Sequence, residues 1–122
     1  MRRHPKNKYM NEKVEVDGLK FDSRKEAKRY RELKLMQELG LITNLECQKK
    51  YVLIPAKYKV KNNKKTLIER ECYYKADFAY TDHNGEVVVE DVKGYKHGQA
   101  YTVFVIKRKL MLQEYGIQIT EV

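Results

Sequence analysis

The feature that most constrains the fold is a pair of β-rich runs joined by a short turn. Residues 71–80, ECYYKADFAY, are rich in aromatic side chains, and residues 86–93, EVVVEDVK, contain three successive valines. The intervening TDHNG supplies the Asp, Asn and Gly residues that are typical of tight turns. The pattern predicts an antiparallel hairpin over residues 71–93.

Charged side chains interrupt this otherwise apolar hairpin. Asp77 lies within the first strand, and the second strand ends in Glu, Asp, Val and Lys at residues 90–93. Charged groups are rarely buried unless they are paired or bind a metal. Because side chains alternate along a strand, Asp91 and Lys93 point the same way. Folding the hairpin about His83 places Asp77 almost opposite Asp91.

Two carboxylates that close repel each other unless one takes a proton or a cation lies between them. Mg²⁺, a hard cation that prefers oxygen ligands, would satisfy both Asp77 and Asp91, with Lys93 beside them to neutralise charge or orient a water. A register shift of one residue would pair Asp77 with Glu90 instead, so Glu90 is a rival ligand. We favour an outward surface charge for Glu90, and the alternative for Asp91 and Lys93 is an edge-strand ion pair.

A helix is predicted from about residue 24 to residue 39, with Gly40 at its C-terminal cap. Ser23 and Glu26 have the spacing of a capping box. Glu26 also lies near the centre of the apolar helix face, which makes it a candidate third carboxylate as well as a capping residue. The apolar face comprises Ala27 at its edge, Tyr30, Leu33 and Met36.

The remaining segments complete the predicted order of elements. A small hairpin over residues 14–21 turns at Asp17-Gly18, and residues 47–56 read as a strand. Residues 102–115 predict a second helix, from Thr102 to a cap at Gly116, and a short strand closes the chain. After the small hairpin the order is helix, three strands, helix, strand. This order predicts one α/β domain over residues 13–122, with helices packed against a mixed sheet.

Net charge favours a polyanionic partner. The chain has 122 residues, with 26 Lys and Arg against 17 Asp and Glu, which gives a formal charge of +9. Nucleic acid is the usual partner of such a small basic domain. The basic residues cluster in a flexible arm over residues 1–12 that includes Arg2 and Arg3, in a predicted loop with Lys57, Lys59, Lys61, Lys64 and Lys65, and near Lys107 and Arg108.

Several classes of protein are disfavoured. No apolar run approaches the roughly 20 residues of a membrane span, and no apolar stretch follows the basic N-terminus as in a secretory signal. We therefore expect a cytoplasmic protein without a membrane partner. Cys47 and Cys72 form no CxxC pair, so a zinc site is not expected and both should be buried free thiols.

The charged residues of the hairpin resemble a known motif. Asp77, followed by Asp91-x-Lys93 on the next strand and preceded by Glu26 on a helix, resembles the PD-(D/E)XK nuclease superfamily, although Ala76 stands where that name has proline. The order of elements is similar to the αβββαβ core of these restriction-endonuclease-like proteins. Residues 8–122 are similar to a small phage and prophage family of the superfamily, related to phage Holliday-junction resolvases and to the endonuclease subunit of Tn7-type transposases.

The resemblance implies metal-dependent hydrolysis of a DNA phosphodiester bond. Asp77, Asp91 and the backbone carbonyl of Val92 would bind Mg²⁺ or Mn²⁺. Glu26 would complete the metal shell, and Lys93 would position or activate the attacking water. A glutamine before the first core strand recurs in the transposase group, which makes Gln48 a secondary candidate beside Glu90.

The resemblance also implies a setting for the reaction. The basic clusters would hold the DNA backbone, and Tyr95 and Lys96 could contact the scissile strand. Family relatives suggest branched DNA such as a Holliday junction, a homodimer, and a phage or prophage protein in the cytoplasm of a bacterial host. The alternative is a non-catalytic nucleic-acid-binding module on a nuclease fold, which the charge alone would fit equally well.

Overall fold

The computed structural model describes residues 13–94 and 96–122. The predicted arm over residues 1–12, with Arg2 and Arg3, lies outside the described residues, as does Tyr95.

The chain begins with the small hairpin that the sequence predicts. Strand β1 (Val14–Val16) pairs antiparallel with β2 (Leu19–Phe21). The two turn residues, Asp17 and Gly18, have φ angles of 53° and 77°. Positive φ at both central residues is what a tight two-residue hairpin turn requires, and Asp and Gly tolerate it. The predicted turn is therefore confirmed.

Helix α1 (Arg24–Glu38) also forms where its capping signals indicate. The Ser23 side chain accepts a hydrogen bond from the Glu26 N–H at 3.1 Å, as in a capping box. The C-cap is Leu39, and Gly40 follows with a left-handed φ of 78°, so the end is predicted within one residue.

The rest of the described chain supplies one four-stranded sheet, a separate hairpin and a second helix. Along the chain these elements are β3 (Thr43–Ile54), β4 (Lys57–Lys61), β5 (Lys64–Glu69), β6 (Cys72–Thr81), β7 (Val87–Asp91), α2 (Gly98–Tyr115) and β8 (Thr120–Glu121). The sheet order is β3-β6-β7-β8. Strand β8 runs parallel to β7, whereas the other pairs are antiparallel. The predicted mixed sheet is confirmed, and the order of elements is as predicted except that two further strands, β4 and β5, lie between β3 and β6.

Each face of the sheet packs against one helix, and this gives two apolar clusters. The α1-side cluster joins α1 and the first hairpin to the sheet through Phe21, Ala27, Tyr30, Leu33, Ile42, Phe78 and Tyr80. The α2-side cluster joins α2 to the opposite face through Tyr51, Leu53, Tyr74, Ala76, Ala79, Val89, Phe104, Met111 and Ile119. The sheet is thus the central layer between two helices. Charged side chains at its buried positions therefore need hydrogen-bond or ion-pair partners within the protein.

Residues 57–69, predicted mostly as a loop, instead form the β4–β5 hairpin. Asn62 and Asn63 make its turn with φ angles of 52° and 61°. Asn is the residue that best tolerates this left-handed conformation after Gly, so Asn-Asn between alternating residues is a hairpin signal. The density of lysines obscured that signal in the sequence.

Helix α2 begins earlier than predicted. Its N-cap is His97 rather than Thr102. Thr102 is the fifth residue of the helix, and its hydroxyl donates to the Gly98 carbonyl at 3.2 Å. The helix ends as predicted, at Gly116 with a φ of 67°. Within residues 13–94 and 96–122, neither helix is long and apolar enough to cross a membrane.

Both cysteines are free, as predicted, but they are only partly buried. Burial still raises the pKa of the Cys47 thiol above its ordinary value. Neither thiol lies in a cluster with metal-ligand composition among the described residues.

Candidate functional site

A surface pocket of about 310 Å³ lies where the start of α1, the middle of β6 and the end of β7 meet. Three separate elements therefore contribute to it, and all three are anchored in the two apolar clusters. The pocket is lined by Asp22, Ser23, Lys25, Glu26, Asp77, Asp91, Val92 and Gly94. It brings together three of the carboxylates that the sequence singled out.

The register of the central hairpin places Asp77 beside Asp91. In the β6–β7 pairing Phe78 lies opposite Glu90, so the next position along each strand puts Asp77 opposite Asp91. The predicted juxtaposition of these two carboxylates is confirmed. The one-residue shift that would have paired Asp77 with Glu90 does not occur.

Side-chain alternation is interrupted at Asp77. Ala76 belongs to the α2-side cluster, but Phe78 belongs to the α1-side cluster. On the neighbouring strand β3, Gln48 lies opposite Asp77, between the pairs Cys47–Phe78 and Lys49–Ala76. Gln48 has a left-handed φ of 56°, which is uncommon for a strand residue. In both strands, the alternation of side chains between the two sheet faces is therefore broken at the Gln48–Asp77 pair.

Asp77 is held against another carboxyl group. One of its oxygens accepts the Val92 N–H at 2.7 Å. Its carboxyl group also hydrogen-bonds to the Glu26 side chain, which requires a proton on one of the two. Burial, followed by this contact with Glu26, raises the pKa of Asp77 to about 9. Without a bound cation, the ionised form of Asp77 is thus disfavoured at neutral pH.

Glu26 both caps the start of α1 and contacts Asp77. It is 6% exposed and accepts the Asp22 N–H at 2.9 Å, which satisfies a free backbone donor at the helix start. Its position in the first turn simultaneously turns the carboxylate toward Asp77. A capping residue on the solvent side would have explained the spacing but not the burial.

Asp91 is fixed by two side chains from different elements. The Tyr74 hydroxyl donates to Asp91 Oδ2 at 2.7 Å, and Lys93 Nζ lies 2.8 Å from Oδ1. Lys93 Nζ also lies 3.3 Å from the ring centroid of Phe104 on α2. Since Asp91 lies between β6 and β8 and is 8% exposed, the Asp91–Lys93 pair is not the edge-strand ion pair of the alternative interpretation.

The backbone around this pair is held in place as well. The Val122 N–H donates to the Asp91 carbonyl at 2.9 Å, and the Lys93 N–H donates to the Val122 carbonyl at 2.9 Å. Lys25 Nζ, from the first turn of α1, donates to the Lys93 carbonyl at 2.6 Å. Helix α1 and the last strand thereby fix the segment that carries the lysine.

Sequence reasoning did not single out Tyr74. Strict alternation would put Tyr74 and Asp77 on opposite faces, because they are three residues apart. Because the alternation is broken at Asp77, Tyr74 and Asp77 are not held on opposite faces, and the Tyr74 hydroxyl contacts Asp91. Burial, then the nearby Asp91 carboxylate, raises the pKa of the Tyr74 phenol.

Removing the Tyr74 hydroxyl should therefore destabilise the fold. We expect Tyr74→Phe to lower the free energy of unfolding by about 1.5 kcal/mol, because a buried charged acceptor loses one of its donors. Tyr73→Phe is the matched control, since Tyr73 is 43% exposed on the same strand. Urea denaturation of both variants is the measurement, and equal stabilities would contradict the assigned role.

Glu90 occupies a different environment from the pocket carboxylates. Arg29 binds it with two parallel hydrogen bonds, Nε to Oε1 and Nη2 to Oε2, each 2.7 Å long. The Tyr80 hydroxyl also donates to it. Glu90 is 1% exposed, so the prediction of an outward surface charge is wrong. It points toward α1 because its partner across the hairpin, Phe78, lies on that face.

The residues of the pocket fit a divalent cation by their chemistry. Glu26, Asp77 and Asp91 offer carboxylate oxygens, the donors that Mg²⁺ and Mn²⁺ prefer. Burial, and then the contact with Glu26, raises the pKa of Asp77, so a neighbouring cation would favour its ionised form. In the arrangement described for residues 13–94 and 96–122, no three His, Cys, Asp or Glu side chains converge closely enough to hold a metal. Protein donors already occupy one oxygen of Glu26 and Asp77 and both oxygens of Asp91.

The predicted DNA-binding residues differ in whether their charged groups lie close to another side chain. Arg108 Nη1 lies 3.1 Å from a Glu121 carboxylate oxygen, and Lys96 Nζ lies 3.9 Å from the other. Lys107 Nζ lies 5.6 Å from the centroid of the Tyr73 ring. All residues of β4 and β5 are exposed, including Lys57, Lys59, Lys61, Lys64 and Lys65.

These features define an α/β protein in which three acids from α1, β6 and β7 line one surface pocket. A family model described as a protein of unknown function, DUF1064, matches residues 6–120, and the chain belongs to that family. No curated protein and no solved structure gives a significant match.

Proposed function

We propose that the protein is a metal-dependent DNA endonuclease. The observation that carries the proposal is that Glu26, Asp77 and Asp91, from three elements, line one surface pocket, and that Lys93 is paired with Asp91. A fold gains little stability from crowding acids in this way, whereas a site for a cation and a phosphate requires it. The likeness of these residues to the PD-(D/E)XK motif supports the same conclusion.

Each side chain has a distinct role in this proposal. Glu26, Asp77, Asp91 and the carbonyl of Val92 would hold Mg²⁺ or Mn²⁺, which when bound supplies Lewis-acid stabilisation of the phosphate and an activated water. Lys93 supplies a positive charge next to Asp91, so that it can orient the attacking water and offset charge on the phosphate. Tyr74 and Lys25 are positioning residues that fix Asp91 and the Lys93 backbone.

The setting proposed for this activity follows the family likeness. The substrate is DNA, with branched DNA as the form that related resolvases suggest, and the protein acts as a homodimer in the cytoplasm of a bacterial host. The formal charge of +9 supports a polyanionic substrate. The exposed lysines of β4 and β5 supply much of that charge.

A non-catalytic nucleic-acid-binding module is the second candidate. The observation that favours it is the 2.8 Å ion pair between Lys93 and Asp91, which already satisfies both groups without a ligand. The burial of Glu26 and the Asp77–Glu26 contact favour the nuclease, because a phosphate-binding surface gains nothing from acids at its centre.

One gel assay separates the two candidates. The wild type and Asp91→Ala are incubated with labelled four-way, flapped, linear duplex and single-stranded DNA, with Mn²⁺ and with EDTA. We expect Mn²⁺-dependent cutting by the wild type alone, and binding by Asp91→Ala that is as tight or tighter. Tight binding by both proteins without cutting of any substrate would contradict the nuclease and leave the binding module.

A further inference from the structure

The β4–β5 hairpin is the part of the molecule that the catalytic proposal leaves unexplained. It forms a two-stranded sheet separate from the central one, and every residue of both strands is exposed. An isolated two-stranded hairpin is only marginally stable in water. Both faces of this hairpin are exposed and therefore available to a partner.

The register of this hairpin sorts its side chains onto two different faces. Lys59 lies opposite Thr66 and Lys61 lies opposite Lys64, so these four residues form one face. We call it the lysine face. The other face, which we call the tyrosine face, pairs Tyr58 with Leu67 and Val60 with Lys65.

Lys65 belongs to the tyrosine face by contact as well as by register. Its Nζ lies 4.1 Å from the centroid of the Tyr58 ring. The neighbouring lysines Lys64 and Lys65 therefore point to opposite sides of the ribbon. The lysine face carries three lysines and Thr66 and no acidic residue, since the one acid of the hairpin, Glu69, is paired with Lys57 at its base.

We propose that the lysine face of the β4–β5 hairpin binds in the major groove of B-form DNA. The proposal rests on the proposed function and names its substrate class as duplex DNA. Two strands about 4.8 Å apart with their side chains form a ribbon that fits the major groove, which is about 12 Å wide. Lysine side chains on its face can reach the flanking phosphates and guanine N7 and O6.

The shape of the hairpin also selects against other nucleic acids. The major groove of A-form RNA is deep and narrow, so side chains on a ribbon cannot enter it. Single-stranded DNA is held by stacking on exposed aromatic rings, but the lysine face carries none. Charge alone would not make either distinction.

The number of residues between the β4–β5 hairpin and Asp77 limits the distance from the lysine face to the pocket. Thr66 precedes Asp77 by eleven residues, and an extended chain of that length spans at most about 40 Å. One turn of B-DNA is about 34–36 Å. The ribbon therefore contacts duplex within about one helical turn of the bond at the pocket.

Binding measurements in EDTA test this assignment independently of cutting. We compare the wild type, Lys64→Gln, Lys65→Gln and the triple variant Lys59→Gln, Lys61→Gln, Lys64→Gln on a linear DNA duplex. We expect the triple variant to bind at least about tenfold more weakly, with a salt slope lower by about one for each lysine that contacts a phosphate. Lys64→Gln should weaken binding and Lys65→Gln should not, although the charge removed is the same.

Dimethyl sulfate footprinting identifies the groove. This reagent methylates guanine N7 in the major groove and adenine N3 in the minor groove. We expect protection of N7 but not N3 by the wild type, and loss of that protection with the triple variant. Protection of N3 alone, or equal affinity for an RNA duplex of the same sequence, would overturn the proposal.

The results distinguish failure of this inference from failure of the nuclease. Equal weakening by Lys64→Gln and Lys65→Gln, or DNA cutting with no change in binding by the triple variant, overturns the hairpin assignment alone. Hairpin-dependent duplex binding without cutting supports the hairpin assignment and contradicts the nuclease. A wild type that neither binds nor cuts DNA overturns both.

Discussion

Replacing Asp77 with asparagine is expected to abolish DNA cutting and to leave the metal-free fold at least as stable as that of the wild type. The carboxyl group of Asp77 hydrogen-bonds to Glu26, and its pKa is raised to about 9, so the wild-type fold holds two acids together at a cost. An amide can accept the Val92 N–H and donate to Glu26 without ionising. We expect cutting to fall by at least about 10³-fold, because the proposed function makes Asp77 a metal ligand whose loss would cost several kcal/mol.

The stability of the wild type in EDTA should depend on pH in a defined direction. The folded pKa of Asp77, about 9, lies above its ordinary value of 3.8, so the folded protein retains a proton that the unfolded chain releases. The contribution is complete below about pH 3.8 and is lost as the pH rises through about 9. At neutral pH we expect Asp77→Asn to exceed the wild type by about 1 kcal/mol or more in free energy of unfolding.

A divalent cation should reverse this order. Binding to the folded wild type stabilises it by about 1.4 kcal/mol at a tenfold excess over the dissociation constant. Asp77→Asn should show little or no such increase in melting temperature with Mg²⁺ or Mn²⁺. The matched control is Asp17→Asn in the first turn, where φ is 53° and asparagine is well tolerated. A metal-induced shift retained by Asp77→Asn, or cutting by it at the wild-type rate, would contradict the site.

The elements of the fold could be predicted because their signals are local. The Ser23 cap, the Asp17-Gly18 turn and the Gly116 helix end each depend on neighbouring residues, and all three form as expected. The start of α2 is predicted too late because Thr102 is a good cap residue, whereas the backbone is helical from Gly98. The β4–β5 turn at Asn62 and Asn63 is not predicted, because the many lysines on both sides leave no clear alternation of apolar and polar residues.

The site could be predicted only as far as strand alternation holds. The pairing of Asp77 with Asp91 follows from counting residues across the hairpin, and the structure has that register. The contact between Tyr74 and Asp91 depends on the change of face at Asp77, opposite the left-handed Gln48, which no period-two pattern contains. The environment of Glu90 depends on Arg29, which is 61 residues away in the sequence. Pairwise contacts over that separation are set by packing, not by local pattern.

Replacing Arg29 with alanine is expected to cause the largest loss of stability of any variant considered. Its guanidinium makes two hydrogen bonds to Glu90, whose side chain is 2% exposed. Removing it leaves a buried carboxylate with only the Tyr80 hydroxyl as a described side-chain donor. Breaking a buried ion pair in this way costs about 3–5 kcal/mol, and we expect the lower end because Arg29 is itself 26% exposed. Arg31→Ala, at an exposed position of the same helix, is the control for helix propensity.

The double variant Arg29→Met, Glu90→Met tests what the Arg29–Glu90 pair is for. Replacing both charges with apolar side chains of similar volume is often neutral or stabilising, so the double variant should recover most of the stability that Arg29→Ala loses. If Glu90 acts only in packing α1 against the sheet, the recovered protein should cut DNA at close to the wild-type rate. Urea denaturation and the cutting assay are measured on the same preparation. Full stability with cutting lost would instead make Glu90 a ligand or a positioning residue of the site. That result would favour Glu90 over Asp91 as the metal ligand.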